Sequence, residues 1–235
     1  MKTKLSLLVI LAGFAQPVVA ANINLANFNL QADFRAFSEE LGAALSYKAI
    51  TPAEPLGVTG FDIGLEATST KMEKLAKATG SSQTNLVVPK LHIHKGLPLN
   101  IDVGAFYSSV PTTNIKLVGG ELRYAILKGG VASPAVAIRG SMTKLSGVDQ
   151  LAFATKGLDV SISKGFAMFT PYAGVGRVWV ESTPDAALSL LKKETFQQSK
   201  FFVGGNLNFG VTNLAVEYDK TGAVQSYSAK LGFRF

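Results

Sequence analysis

Apolar and polar residues alternate along many short segments of this chain, and this period of two is the feature that most constrains its fold. Successive side chains of a β-strand point to opposite faces of a sheet, so each segment predicts a strand with one apolar and one polar face. Comparable alternation begins at Phe61, Ile101, Glu121, Val136, Leu158, Phe201, Leu214 and Ser226. The sequence therefore predicts an all-β chain.

The hydrophobic content indicates a membrane-spanning sheet. Hydrophobic residues make up 47% of the chain and the mean hydropathy is +0.25, which is high for a soluble domain. Beyond residue 20, no apolar stretch reaches the roughly 20 residues that a membrane-spanning helix needs. Only helices and closed barrels pair all their backbone groups in lipid. The chain is therefore expected to form an antiparallel transmembrane β-barrel.

The amino terminus reads as an export signal. Lys2 and Lys4 precede the apolar run Leu5–Ala15, and small residues follow up to Ala20 and Ala21. This order is typical of a cleaved secretory signal peptide. We therefore predict a signal peptide over 1–20, an N-terminal helix and connector over 21–56, and the barrel over 57–235. The chain has no cysteine, which excludes disulfides, thiolate metal sites and a cysteine nucleophile.

Short glycine-containing turns separate pairs of strands. They occur at Lys95-Gly96, Lys128-Gly129, Lys164-Gly165 and Phe209-Gly210, with longer connections between them. Short turns that alternate with longer loops are typical of the periplasmic and external ends of a bacterial barrel. Each interval between short turns holds two strands, which predicts about ten strands in five hairpins.

The last strand carries a family resemblance. Tyr227, Leu231, Phe233 and the terminal Phe235 lie on one face of this predicted strand. This pattern resembles the carboxyl-terminal signal of bacterial outer-membrane β-barrels. The resemblance covers roughly residues 57–235 and selects no functional subfamily. It implies that these four residues form an assembly signal read by the barrel-assembly machinery. It also implies residence in the cell outer membrane, with outer-membrane lipids and lipopolysaccharide as partners.

Before the predicted barrel, apolar residues recur every three to four positions. Leu30, Phe34, Phe37, Leu41 and Leu45 recur at helical spacing, which predicts an amphipathic helix. We expect this helix at the periplasmic mouth, as a cap or against the membrane interface, because its Phe/Leu face matches a charged lumen poorly. A plug inside the barrel is the alternative.

If the apolar faces point to lipid, the opposite faces place a charged network in the lumen. Acids and bases are nearly balanced there, which suits either an ion-paired, sealed interior or a narrow water-filled pore. The predicted lumen-facing residues are Asp62, Glu66, Asp102, Glu121, Arg123, Arg139, Asp159, Arg177, Glu217, Lys230 and Arg234.

Few residues are suited to catalysis. The two histidines, His92 and His94, share one strand face near the short turn at Lys95-Gly96, and no hydrolase or metalloprotease motif accompanies them. We expect a lumenal or turn-capping pair, no enzyme activity, no cofactor and no metal site.

The basic residues are scattered, which argues against nucleic-acid binding despite the formal charge of +7. Lys71, Lys74 and Lys77 lie either in a solvated loop or against lipopolysaccharide phosphates.

Two functions remain open at this stage. One is a structural or envelope-interaction barrel without catalytic activity. The other is a narrow porin-like channel for small solutes, with the N-terminal helix as a cap or gate. Deletion of residues 22–50 distinguishes them, because loss of a gate increases solute leakage.

Overall fold

Ten antiparallel strands close into one barrel in the computed structural model, which describes residues 24–80, 82, 84–109 and 113–235. Each strand pairs with its neighbours in sequence, and β1 pairs with β10 to close the ring. The predicted all-β barrel of about ten strands is confirmed. The predicted signal peptide lies outside the described residues and stays a prediction.

The strands differ in length mainly at the end that carries the long loops. They are β1 Phe61–Lys71, β2 Asn85–Leu97, β3 Ile101–Ser109, β4 Lys116–Lys128, β5 Ala135–Ser146, β6 Leu151–Ser163, β7 Phe169–Pro184, β8 Glu194–Phe209, β9 Thr212–Thr221 and β10 Val224–Arg234. Helix α1 spans Gln31–Leu45, and the short helix α2 spans Leu75–Thr79 in the β1–β2 loop.

The outer face of the barrel is apolar. Leu65, Leu122, Val175 and Val216 are among the many large hydrophobic side chains exposed there. About ten residues of a tilted strand cross the roughly 25 Å apolar band of an outer membrane, and these strands reach that length. Exposed aromatic residues lie towards both ends of the band, namely Tyr124, Phe169, Phe209 and Phe233 near the short turns and Tyr107, Trp179, Phe201 and Tyr227 near the long loops. The predicted transmembrane strands and outer-membrane location agree with this surface.

Among the described residues, no helix is long and apolar enough to cross a membrane.

The N-terminal segment runs through the barrel lumen from one end to the other. Asn24 donates its backbone N–H to Ala78 in the β1–β2 loop at 2.8 Å, at the long-loop end. All residues from Leu41 to Ala53 are buried. Leu56 then donates its backbone N–H to Asp102 at 3.1 Å, close to the short-turn end. The expectation of a cap at the periplasmic mouth is therefore wrong, and the segment is an internal plug.

The helix fits inside the lumen because the two halves of the lumen wall differ in polarity. In the half near the long loops, an apolar group of inward side chains surrounds the Phe34, Phe37 and Leu41 face of α1. Most of the charged inward residues lie in the half near the short turns, although Lys200 and Asp219 lie in the long-loop half. The apolar inward residues are Val88, Phe106, Leu117, Leu145, Leu151, Phe153, Val178 and Val180. The apolar face of α1 therefore packs against apolar wall residues and not against the charged lumen that the sequence suggested.

The barrel is also wide enough. Ten strands spaced about 4.8 Å apart and tilted about 40° give a backbone diameter of about 20 Å. Side chains of the wall leave room for one helix about 10 Å across. Helix α1 packs tightly against the wall at Gly42, since a Cβ there would lie 2.7 Å from Val180 Cγ2 and 2.6 Å from Gln198 Oε1.

Candidate functional site

The charged half of the lumen contains ten of the eleven residues that the sequence nominates. They lie on the inner face, mostly buried, with Arg234 partly exposed at the mouth. The ten are Asp62, Glu66, Asp102, Glu121, Arg123, Arg139, Asp159, Glu217, Lys230 and Arg234.

Arg177 is the exception, and its predicted lumenal position is wrong. In β7 the inward phase is that of Tyr172, Val178 and Val180, whereas Arg177 is exposed on the outer face. Apolar residues occupy both phases of this strand up to Trp179, so polarity alone assigned the arginine to the wrong side.

Asp62 is the centre of the first ion-pair group, near the short turns. It accepts from Lys230 Nζ at 2.9 and 3.0 Å, from Arg234 Nε at 3.1 Å and from Asn213 Nδ2 at 3.2 Å. One buried and one partly exposed cation thus share one carboxylate. Such a group stabilises the barrel only as a complete set, because loss of one partner leaves an unpaired buried charge.

Arg139 is the centre of the second group. Its guanidinium donates to both carboxylate oxygens of Asp159 at 2.8 to 3.1 Å and to Glu121 at 3.4 Å. This fork geometry is the strongest form of a carboxylate pair. The group ties β4, β5 and β6 together across the lumen wall.

Arg123 connects the wall to the plug. Its Nη2 donates to Asp102 at 2.6 Å, while its Nη1 donates to the Thr51 hydroxyl at 2.8 Å and to the Pro52 carbonyl at 2.5 Å. The connector after α1 has carbonyl groups with no strand partners, and one arginine satisfies part of them. Arg123 therefore holds the connector in the charged half.

A second plug contact lies further from the short turns. Lys48 donates to Asp219 at 2.6 Å, and both side chains are fully buried. Asp219 also accepts from the Thr221 hydroxyl at 3.2 Å, and Lys200 donates to the Tyr47 carbonyl at 2.8 Å. One small void beside Tyr47 and Lys200 has a volume of about 10 Å³, which is close to the size of one water molecule.

Four buried ionisable residues of the lumen, Lys48, Lys90, Lys200 and Asp219, are absent from the predicted lumen-facing residues. Three of them lie an even number of positions from another inward-facing residue on the same strand: Lys90 from His92, Lys200 from Asn206 and Asp219 from Glu217. Continuing the alternation along each predicted strand would therefore have placed them in the lumen. Lys48 lies outside any strand, and the sequence carries no signal for its position.

The two histidines are buried in the lumen wall. His92 contacts the Glu66 carboxylate, which also accepts from Lys90 at 2.7 Å. His94 Nε2 lies 3.3 Å from the Tyr47 hydroxyl and 3.5 Å from Glu121. Among the described residues, no group of three or more histidine or acidic side chains is arranged to hold a metal ion. Both rings are buried, and both lie against Tyr47 of the plug.

Ion pairs also anchor the plug at the long-loop end. Asp33 accepts from Lys77 at 2.6 Å and from Lys74 at 2.9 Å, and Arg35 donates to Glu194 at 2.9 Å. The hydrogen bonds from Lys77 and Lys74 hold the pKa of the Asp33 carboxyl below its ordinary value. Because that ordinary value is about 3.9, the anchor stays ionised at neutral and mildly acidic pH.

Of the four residues predicted to form an assembly signal, Tyr227, Leu231 and Phe233 share the outer face of β10, and Phe235 follows the end of that strand. Tyr227, Phe233 and Phe235 are exposed, and Leu231 is half-buried among its neighbours.

Several solved outer-membrane proteins are similar to this chain at low sequence identity. An outer membrane channel from Pseudomonas putida F1 aligns with 81% of this chain and 100% of its own, at 14% identity and a TM-score of 0.49. The translocator domain of the autotransporter NalP from Neisseria meningitidis aligns over 92% and 99%, at 11% identity and a TM-score of 0.42. The outer membrane protein OprG from Pseudomonas aeruginosa aligns over 79% and 99%, at 12% identity and a TM-score of 0.37.

No family model matches the sequence, and no curated protein matches it. The closed ten-strand barrel, its apolar outer face and its polar interior define an outer-membrane β-barrel protein, as the sequence predicts.

Proposed function

We propose that this protein is a self-plugged outer-membrane barrel with a structural or envelope-interaction role, closed to solutes in its resting state and without catalytic activity. One observation carries the proposal: residues 24–56 fill the lumen over its length and are buried from Leu41 to Ala53. The buried histidines and the small void beside Tyr47 support a sealed interior.

Reconstitution of the mature chain in planar bilayers tests the closed state. A folded preparation is expected to give no discrete conductance steps, because the helix and connector occupy the path. Discrete steps from the intact chain would contradict the proposal.

A gated channel for small solutes is the second candidate function. The charged half of the lumen favours it, because a permanently sealed barrel of this width needs no buried ion pairs and apolar packing is often at least as stable. In that reading, the plug is the gate, and it opens when its hydrogen bonds from Arg123 and its ion pair with Asp219 break.

The exposed aromatic phase of β10 supports recognition of this strand by the barrel-assembly machinery. Phe233 and Phe235 lie at the strand end nearest the short turns and face outwards, where a second protein can contact them.

Because the plug begins at the long-loop end, Asn24 is expected to be accessible from outside the cell. This residue is exposed at the long-loop end, whereas Val211 is exposed in the short β8–β9 turn. Because the chain has no cysteine, Asn24→Cys and Val211→Cys each give one labelling site. A membrane-impermeant maleimide is expected to label Asn24→Cys on intact cells, and Val211→Cys only after the outer membrane is permeabilised. The reverse pattern would contradict the orientation.

A further inference from the structure

His94 lies between two groups that require opposite protonation states of the same ring nitrogen. Its Nε2 atom is 3.3 Å from the Tyr47 hydroxyl of the plug and 3.5 Å from a carboxylate oxygen of Glu121 on β4. An unprotonated Nε2 accepts a hydrogen bond from Tyr47, whereas only a protonated Nε2 donates to an ionised carboxylate. This one nitrogen atom therefore bonds either to the plug or to the wall.

In this structure, the nitrogen bonds to the plug. The contact between Tyr47 and His94 has the geometry of a hydrogen bond, while the facing Oε1 atom of Glu121 has no hydrogen-bond partner. All three side chains are buried. The Tyr47 ring also packs against Phe106 at 5.4 Å and edge-on against His92 at 5.9 Å. Unprotonated His94 thus helps to hold Tyr47 in place just after the end of α1.

A charge on the His94 ring would be buried beside cations while the plug is in place. Lys230 and Arg234 on β10 and Arg123 on β4 repel a proton on this ring, as does His92 when it is charged. The carboxylates around the ring are engaged with other groups, apart from Glu121 Oε1: Asp62 with Lys230 and Arg234, Glu66 with Lys90 and His92, Asp102 with Arg123, and Glu121 Oε2 with Arg139. A proton on His94 therefore adds an incompletely paired charge to a dry site, which is costly.

Displacement of the plug removes this cost. Water then reaches the ring, and Glu121 Oε1 accepts a hydrogen bond from the protonated Nε2. In the plugged barrel, by contrast, the same proton leaves the buried Tyr47 hydroxyl without its acceptor, which disfavours the plugged state. The released state therefore binds a proton more readily than the plugged state. By linkage, each proton taken up on release shifts the equilibrium towards release by up to about tenfold per unit fall in pH.

We propose, on the basis of the gated-channel function, that acid releases the plug, with His94 as the residue that takes up the proton and Glu121 as its acceptor after release. At neutral pH, the bond from Tyr47 keeps the barrel closed. In mild acid, the bond is lost, and the lumen opens to small solutes. Histidine is suited to this role because its charge changes in the range between about pH 5 and pH 8.

Planar-bilayer recording of the full-length mature barrel at about pH 7.5 and about pH 5 tests this switch. The intact chain is expected to be silent at the higher pH and to show discrete conductance steps at the lower one. His94→Gln is expected to stay silent at both, because the amide oxygen accepts from Tyr47 whatever the pH. His92→Gln is the matched control, since His92 is equally buried on the same strand face but has no hydrogen bond to the plug. It is expected to keep the acid response.

Tyr47→Phe provides a second variant that keeps both histidines. It is expected to open more often than the intact chain near neutral pH and equally often near pH 5, where the bond from Tyr47 is absent from both proteins. Heat-modifiable gel mobility checks that each barrel is folded, and Tyr47→Phe decides the question if His94→Gln does not fold.

The failure of acid release and the failure of the closed state give different results. Silence of the intact chain at both pH values would overturn acid release and leave the closed barrel as proposed. Steps of equal frequency at both pH values would contradict the closed resting state and acid release together. Acid-induced steps from folded His94→Gln, or loss of the acid response in His92→Gln, would overturn the assignment to His94. Tyr47→Phe that matches the intact chain near neutral pH would show that the bond to His94 does not hold the plug.

Discussion

Deletion of residues 22–50 is expected to turn a silent barrel into a conducting one. The deleted segment includes all of α1 and the plug residue Lys48, while Arg123 and the wall remain. Removing a helix about 10 Å across leaves a water-filled path of about that width, lined by charge in one half. Planar-bilayer recording is expected to show discrete steps for the deletion and none for the intact chain. Equal silence of both folded proteins would exclude the plug as the barrier.

A point variant provides the same test without loss of chain. Gly42→Leu places a side chain where even a Cβ comes within 2.7 Å of Val180, so α1 cannot dock as it does in the native barrel. We expect conductance steps from this variant too. Gly140→Leu is the matched control, because a Cβ at Gly140 meets nothing within 4 Å. Steps from the control, or silence from a folded Gly42→Leu barrel, would argue against helix docking as the seal.

Substitution of Lys48 is expected to lower the stability of the barrel strongly. Lys48→Met leaves Asp219 fully buried with only the Thr221 hydroxyl as a partner, which costs about 3 to 5 kcal/mol. The double variant Lys48→Met with Asp219→Leu removes both charges and is expected to recover most of that loss. The free energy of unfolding, measured by urea titration in lipid vesicles, checks both values.

Lys71→Met is the matched control for that experiment. Its pair with Glu73 is exposed at 3.5 Å, so the expected loss is below about 1 kcal/mol. A loss of similar size in Lys48→Met and Lys71→Met would show that the plug is not held by a buried ion pair.

The sequence was sufficient for the barrel because the outer face repeats one simple requirement. Lipid contact demands apolar residues at every second position, and Phe61, Leu158 and Val216 obey that demand in their strands. The predicted strand number followed from the glycine turns. Inward-facing positions have no such uniform requirement for apolar residues, because they contact other side chains and not lipid.

The position of α1 was missed for that reason. The prediction extended the charge of Asp62 and Glu66 to the whole lumen, although Val88, Leu117 and Val180 form an apolar surface in the long-loop half. Which strand positions face α1 depends on the shear of the closed barrel, and no local pattern encodes that shear. Arg177 was misplaced because apolar residues fill both phases of β7.

A cysteine pair provides the most direct test that the N-terminal helix lies inside the barrel. The Ser38 hydroxyl on α1 donates to the Ser182 hydroxyl on the inner face of β7 at 2.9 Å, which places the two Cβ atoms within reach of a disulfide. In this cysteine-free chain, Ser38→Cys with Ser182→Cys is expected to form an intramolecular disulfide on mild oxidation in native membranes. Mass spectrometry of the linked peptides detects it. Ser38→Cys with Ser199→Cys, whose second site faces outwards, is expected to stay reduced. Free thiols at both Ser38→Cys and Ser182→Cys in a folded barrel would contradict the internal plug.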